Sequence, residues 1–296
     1  MKVGLALAGG GIKGVAHAGA LQALEENGIN IDIIGGTSSG AIVATLYSIG
    51  YKPKEIYDIF KKYAKVIVGI KRKRIVKGLR EIIFKRKLDL KGLNTGKDLE
   101  QIFENIIKEK KCNNIQDIKN IKIVIPTFNL IKEQKCIFTN YNESIKILSK
   151  SHKTEYIQDI EISKAVRASS SFPGRFSPCK YNEYVFLDGG VVDNVPAQEI
   201  KKIGADKIIT INFQENNLTV KYNVLEITNK TIDVRCEIIN KKNLEISDVV
   251  IPINTNNTGL LDIKKIEQCY AAGYIATIKK IQEIKMQIRQ EKEKVV

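Results

Sequence analysis

The chain has 296 residues, 43% of them hydrophobic, with no Pro/Gly/Ser linker, low-complexity tract or internal repeat. This excludes a disordered, fibrous or solenoid protein and predicts one domain over 1–296 that buries a large core. The formal net charge is +15, which makes a polyanionic partner a question to be tested, while five dispersed cysteines (Cys112, Cys136, Cys179, Cys236, Cys269) without a Cys-x-x-Cys pair imply neither a disulfide framework nor a zinc site.

The apolar run 3–8 predicts a first core strand. It is too short for a signal peptide or a membrane span, so a cytoplasmic protein is the default expectation. Gly9-Gly10-Gly11-Ile12-Lys13-Gly14 follows, and then a helical stretch over 15–26. This order matches the dinucleotide fingerprint Gly-x-Gly-x-x-Gly. The fingerprint also expects an acid at the far end of the second strand, yet the candidate Asp32 lies at that strand's beginning. The other reading is that backbone N–H groups of the loop, near a helix N-terminus, face an oxyanion.

The second strand, 31–34, runs into Gly36-Thr37-Ser38-Ser39-Gly40 and a helix-compatible run at 41–46. A serine on so sharp a strand-to-helix turn exposes its hydroxyl, and glycines at 36 and 40 relieve the crowding. The plainer alternative is that Ser38 or Ser39 only caps the helix.

Residues 65–91 hold 11 Lys/Arg against two acids, with Ile75, Leu79, Ile82 and Ile83 at helical spacing. This predicts a basic amphipathic cap helix at about 65–92, which either presents a solvated face or meets anionic lipid. Aromatic interleaving is absent from the patch and no recognition motif accompanies it, so nucleic acid is not the expected partner.

Further helices are predicted at 97–109, 159–169 and 262–292, and strands at 121–127, 184–187, 208–212 and 249–253. The set reads as a three-layer α/β/α fold with a chiefly parallel sheet, ending in a helical region at about 262–296. Ligands of such sheets bind beyond the carboxyl ends of the strands. Asp188-Gly189-Gly190 closes the strand at 184–187 and offers a carboxylate as base for Ser38; taken alone it is an ordinary turn. Asp193 and Asn194, followed by Val195-Pro196, read as a turn and N-cap for a helix from Ala197. Ser169, Ser170 and Ser171 lack glycine framing and are expected to border a pocket at most. His17 shares a helical face with Leu21 and Leu24 and is expected to pack or cap, while His152 lies in a polar loop.

Four segments together resemble the patatin-like phospholipase family: the loop Gly9 to Gly14, the turn Gly36 to Gly40, Ala165-Val166-Arg167-Ala168-Ser169-Ser170-Ser171-Phe172-Pro173, and Asp188-Gly189-Gly190-Val191-Val192-Asp193-Asn194-Val195-Pro196. The resemblance covers roughly residues 1 to 212. It implies Ser38 as nucleophile, Asp188 as its base, and Gly9, Gly10, Gly11 and Gly14 as an oxyanion loop, with Gly36, Gly40, Gly189 and Gly190 supporting both motifs. It also implies a lipid ester substrate, phospholipid or lysophospholipid, and no metal or organic cofactor. Ala8 and Lys13 depart from the family's usual Asp and Arg, without removing a backbone donor. A histidine-free dyad requires a partly desolvated aspartate. The rival expectations are a non-catalytic scaffold on anionic membranes and a nucleotide-binding oxidoreductase.

Overall fold

β1 (Val3–Leu7), α1 (Val15–Glu26) and β2 (Ile33–Gly36) form a β-α-β unit in which β1 and β2 run parallel, Gly4 facing Ile33 and Leu7 facing Gly36. Every residue of both strands is buried, as continuous apolar runs require when helices cover both faces of a sheet. The computed structural model describes residues 1–69, 94–142, 154–214 and 224–293. The expected basic cap helix at 65–92 therefore lies outside the described residues from position 70 onward, and His152 lies outside them as well.

After β2 come α2 (Ser39–Ser48), α3 (Pro53–Ile67), α4 (Lys97–Glu109), β3 (Lys122–Asn129), β4 (Gln134–Thr139), β5 (Thr154–Ile157) and α5 (Ile162–Ser169). The chain continues through β6 (Cys179–Tyr181), β7 (Tyr184–Asp188), α6 (Ala197–Lys202), β8 (Lys207–Phe213), α7 (Val224–Glu245), β9 (Val249–Ile253) and α8 (Ile266–Glu293). The main sheet runs β5-β4-β3-β2-β1-β8-β9. Its β3-to-β9 part is parallel, whereas β3 and β4 pair antiparallel.

The register along β3 brings the ends of β2 and β7 together. Its first residues pair with β2, from Ile33 opposite Lys122 to Gly35 opposite Val124. Where β2 ends, β7 occupies the same side of β3 in the antiparallel sense, with Asp188 opposite Thr127 and Phe186 opposite Asn129. The carboxyl ends of β2 and β7 thus approach each other from opposite directions.

The helices cover both faces of this sheet. α8 crosses α1 at Gly19 and Gly273, where a Cβ would stand within 2.0 Å of the Tyr270 carbonyl oxygen or 1.9 Å of that of Ala16. Glycine is required there because backbone meets backbone. β4, β5, β6 and α7 were not indicated by the sequence. β4 carries the polar pair Gln134-Lys135 at its start, and α7 is rich in the β-branched and amide residues that favour other conformations. Among the described residues, no helix is long and apolar enough to cross a membrane.

Candidate active site

The turn between β2 and α2 forces Ser38 to φ 54° and ψ −117°, a backbone state that costs a non-glycine residue about 1–3 kcal/mol. Neighbouring bonds hold it there. The Ser38 N–H donates to Ser169 Oγ at 3.1 Å, and that hydroxyl donates to the Pro126 carbonyl at 2.8 Å. Thr37 Oγ1 donates to the Asp193 carbonyl at 2.8 Å, and the Gly40 N–H to the Thr37 carbonyl at 2.8 Å. A Cβ on Gly40 would lie 2.4 Å from the Leu7 carbonyl oxygen, so α2 is pressed against the end of β1; Gly36, the last residue of β2, backs onto Gly40 in turn. Thr37 and Ser39 are buried while Ser38 stays partly exposed.

Asp188 ends β7 with 2% of its surface exposed. Its Oδ1 accepts the Gly190 N–H at 2.8 Å, so Gly189 and Gly190 form the 3-10 turn that fixes the carboxylate. Oδ2 is buried without a full hydrogen bond. Burial pushes this carboxyl up to about 7, and the Gly190 N–H and the Ser38 hydroxyl beside it oppose the shift. A hydroxyl at the edge of bonding geometry is ordinary for an unliganded site, where such contacts tighten only around a substrate.

The glycine loop packs against the same point, with its donors unequally committed. The Gly9 N–H goes to the Asn194 carbonyl at 3.2 Å and the Gly10 N–H to Ser39 Oγ at 3.0 Å. Gly14 opens α1 against Ser39. Among the described residues, the Gly11 N–H has no acceptor. Loop, Ser38 and Asp188 line a cleft of about 400 Å³ whose other walls include Ile42, Val68, Phe172, Phe176 and Leu244. This is a largely apolar space with a few convergent polar groups, the usual form of a small-molecule site.

A family model described as patatin-like phospholipase matches residues 5–200. The chain belongs to the patatin-like phospholipase family. Over 210 residues it is 32% identical to Lysophospholipase NTE1 of Meyerozyma guilliermondii, a match that spans 71% of this chain and 12% of that protein. Lysophospholipase NTE1 of Saccharomyces cerevisiae matches at 32% over 71% of this chain and 11% of its own length. The chain thus corresponds to about an eighth of these relatives. The solved structure of human GIVD cytosolic phospholipase A2 in complex with methyl gamma-linolenyl fluorophosphonate superposes with a TM-score of 0.52 at 10% identity, covering 98% of this chain and 59% of that one. At that identity it shows a shared fold.

Within this patatin-like domain, Asp32 does not serve a nucleotide. Its Oδ2 accepts the Val3 N–H at 2.7 Å at the opposite end of the strands from the glycine loop. His17 is fully buried; its Nε2 donates to the Ala8 carbonyl at 2.8 Å and its ring lies 5.0 Å from that of Phe213. Burial lowers its pKa to about 4 despite the bond to Ala8. It is a neutral packing group that holds the end of β1 just before the glycines.

Two expectations need correction. Asp193 and Asn194 do not cap α6, whose N-cap is Pro196 with no side-chain cap bond. Asp193 is buried in an ionic cluster instead, its Oδ2 3.1 Å from Lys135 Nζ, with Glu199 bound to the same ammonium at 2.5 Å and to the Tyr156 hydroxyl at 2.6 Å. Lys135 arrives from β4, a strand the sequence did not reveal, and so the partner that draws Asp193 inward was invisible. Asn194 lines the cleft and receives the Gly9 N–H. The serine run did more than border a pocket: Ser169 carries the Ser38 backbone, and Ser171 bonds Arg167. α7 adds Cys236, Asn240 and Leu244 to the cleft wall, beyond the reach of any motif.

Proposed function

We propose that this chain is a serine acyl hydrolase that cleaves a lipid ester, a phospholipid or lysophospholipid, through Ser38 and Asp188. The observation that carries this reading is the strained, partly exposed Ser38 beside a buried, unsaturated carboxylate at one end of an apolar cleft. Asp188 takes the Ser38 proton as Oγ adds to the ester carbonyl. The negative oxygen that develops meets the Gly11 N–H first, and the Gly10 N–H once it leaves Ser39 Oγ. Collapse of the intermediate expels the alcohol, protonated by Asp188, and leaves an acyl-Ser38. Asp188 then deprotonates water, whose oxygen adds to the acyl carbonyl; collapse breaks the bond to Ser38, whose Oγ takes the proton back from Asp188 as the fatty acid departs. The apolar cleft wall takes the acyl chain. Family membership and the lysophospholipase relatives support this substrate class over a nucleotide or a purely structural ligand.

An active-serine phosphonate tests the reading. It is expected to add one covalent label, mapped by peptide mass to Ser38, with loss of ester turnover in proportion to labelling. An unlabelled, folded protein, or a label on another serine, overturns it.

A further inference from the structure

A second groove, of about 470 Å³, opens between α3 and the segment that leads into α8. Lys61, Lys62 and Lys65 of α3 and Lys264 of the 3-10 turn Ile263–Lys265 line it, and all four are exposed. None of them forms an ion pair among the described residues. Glu267 is in the lining, and nearby Asp58 is paired with Lys54 at 3.8 Å. Between the cations lie half-buried apolar groups, Tyr63, Val66 and Ile263. Lys62 Nζ stands 5.1 Å from the Tyr63 ring centre and Lys61 Nζ 5.7 Å from that of Tyr57. Such stems rest on aromatic surface while the ammonium groups stay in water.

The groove shares two chain segments with the Ser38 cleft. On α3, Val66 lines the groove and the next residue, Ile67, lines the cleft. On the other segment, Leu260 lines the cleft, Leu261 is 41% exposed, and Ile263 and Lys264 line the groove. A cation cluster interleaved with apolar side chains, on chain segments that also line an apolar cleft, matches the chemistry of a bilayer surface: anionic headgroups above, hydrocarbon beneath. Lys65 is also the one described basic residue of the run 65–91, so the groove continues the most basic part of the sequence.

We propose that this groove is a docking site for anionic phospholipid headgroups, seating the protein on a membrane with the Ser38 cleft facing lipid. The orientation rests on the proposed hydrolase function; the docking does not.

Co-sedimentation of the Ser38→Ala protein with phosphatidylcholine vesicles, with and without phosphatidylserine, tests the docking apart from turnover. Binding is expected only with phosphatidylserine and is expected to fall with added salt. Reversing three charges, Lys61→Glu, Lys62→Glu and Lys264→Glu, is expected to weaken it about 100-fold, at about fivefold or more per lysine. The milder Lys→Gln set at the same positions is expected to move the same way, covering the case of a misfolded reversal variant. In the otherwise native chain, both sets are expected to leave hydrolysis of a soluble short-chain ester unchanged. A matched set outside the groove, Lys108→Glu, Lys111→Glu and Lys180→Glu, is expected to retain binding. Equal loss in the matched set reduces the effect to net charge and overturns the proposal, as does undiminished binding by the groove variants or equal binding to both vesicle types.

Discussion

Asp188 stands opposite Thr127 on β3, three residues beyond Val124, where Gly35 makes the last pairing between β2 and β3. One long strand therefore serves as a common ruler. It sets the end of β2, and so the turn at Ser38, against the end of β7, although 150 residues separate the two side chains in sequence. Because Asp188 also donates its own N–H to the Ser171 carbonyl at 3.1 Å, it is fixed by backbone from two directions.

Replacing either member of this pair gives the most direct functional outcome. Ser38→Ala is expected to reduce ester turnover to background, by about 10⁶-fold, and Asp188→Asn by about 10²–10⁴-fold, both in protein with an unchanged circular dichroism spectrum. Steady-state kinetics on a short-chain ester supplies the measurement, and substantial turnover by folded Ser38→Ala protein would falsify the assignment.

Under the proposed mechanism the pH profile reports on Asp188. Burial raises its pKa to about 7, and a base works only when ionised, so kcat/KM is expected to rise with pH and reach half its plateau near neutrality. An acidic limb in the ordinary carboxylate range instead would mean that another group, or a solvated aspartate, is the base.

Asp188→Asn is expected to stabilise the fold while it removes activity. From the ordinary value of 3.8 up to about 7, the folded chain keeps a proton that the unfolded chain has released, so stability falls as pH rises through this window. The variant lacks that penalty. Its advantage in denaturant midpoint should grow from pH 4 to pH 7 and then level off, at no more than about 4 kcal/mol.

His17 has the opposite sign. Its pKa falls from 6.5 to about 4 on folding, so below 6.5 the unfolded chain binds a proton that the folded chain refuses, and stability drops as the pH is lowered through that range. His17→Gln is expected to flatten this part of the stability curve. Any remaining folded variant should still take the phosphonate label on Ser38, which separates a packing role from a catalytic one.

Ser169→Ala removes the acceptor for the Ser38 N–H and frees the Pro126 carbonyl. Loss of this support lets the strained turn relax, and under the proposed mechanism a displacement of the Ser38 hydroxyl of about 1 Å is worth up to about 100-fold in rate. The expected result is a lower kcat with KM little changed. An equal rise in KM would show instead that Ser169 shapes the cleft rather than the turn.

Much of this was legible in the linear chain. Apolar periodicity located β1, α1, β7, β8 and β9 within a residue or two, and α4 at the residues expected, because these segments are strongly patterned and bounded by glycine or polar turns. Ser38 stood out because its signal is local: strand, glycine, serine, glycine and helix follow within sixteen residues. The glycine loop was visible for the same reason, though not which of its amides are already engaged.

What the sequence determined by itself was chemistry carried on short segments: the α/β class, the serine on its turn, and a candidate carboxylate. Only the tertiary structure decided partnership. Whether Asp188 is a turn residue or a buried neighbour of Ser38 depends on which strand succeeds β2 along β3. Whether Asp193 caps a helix or enters an ionic cluster depends on Lys135 from an unsuspected strand, and whether Ser169 is bystander or support depends on how α5 docks beneath the turn. A residue's ionisation and hydrogen bonding are set by what lies within a few ångströms in space, and for these groups the neighbours come from distant parts of the chain.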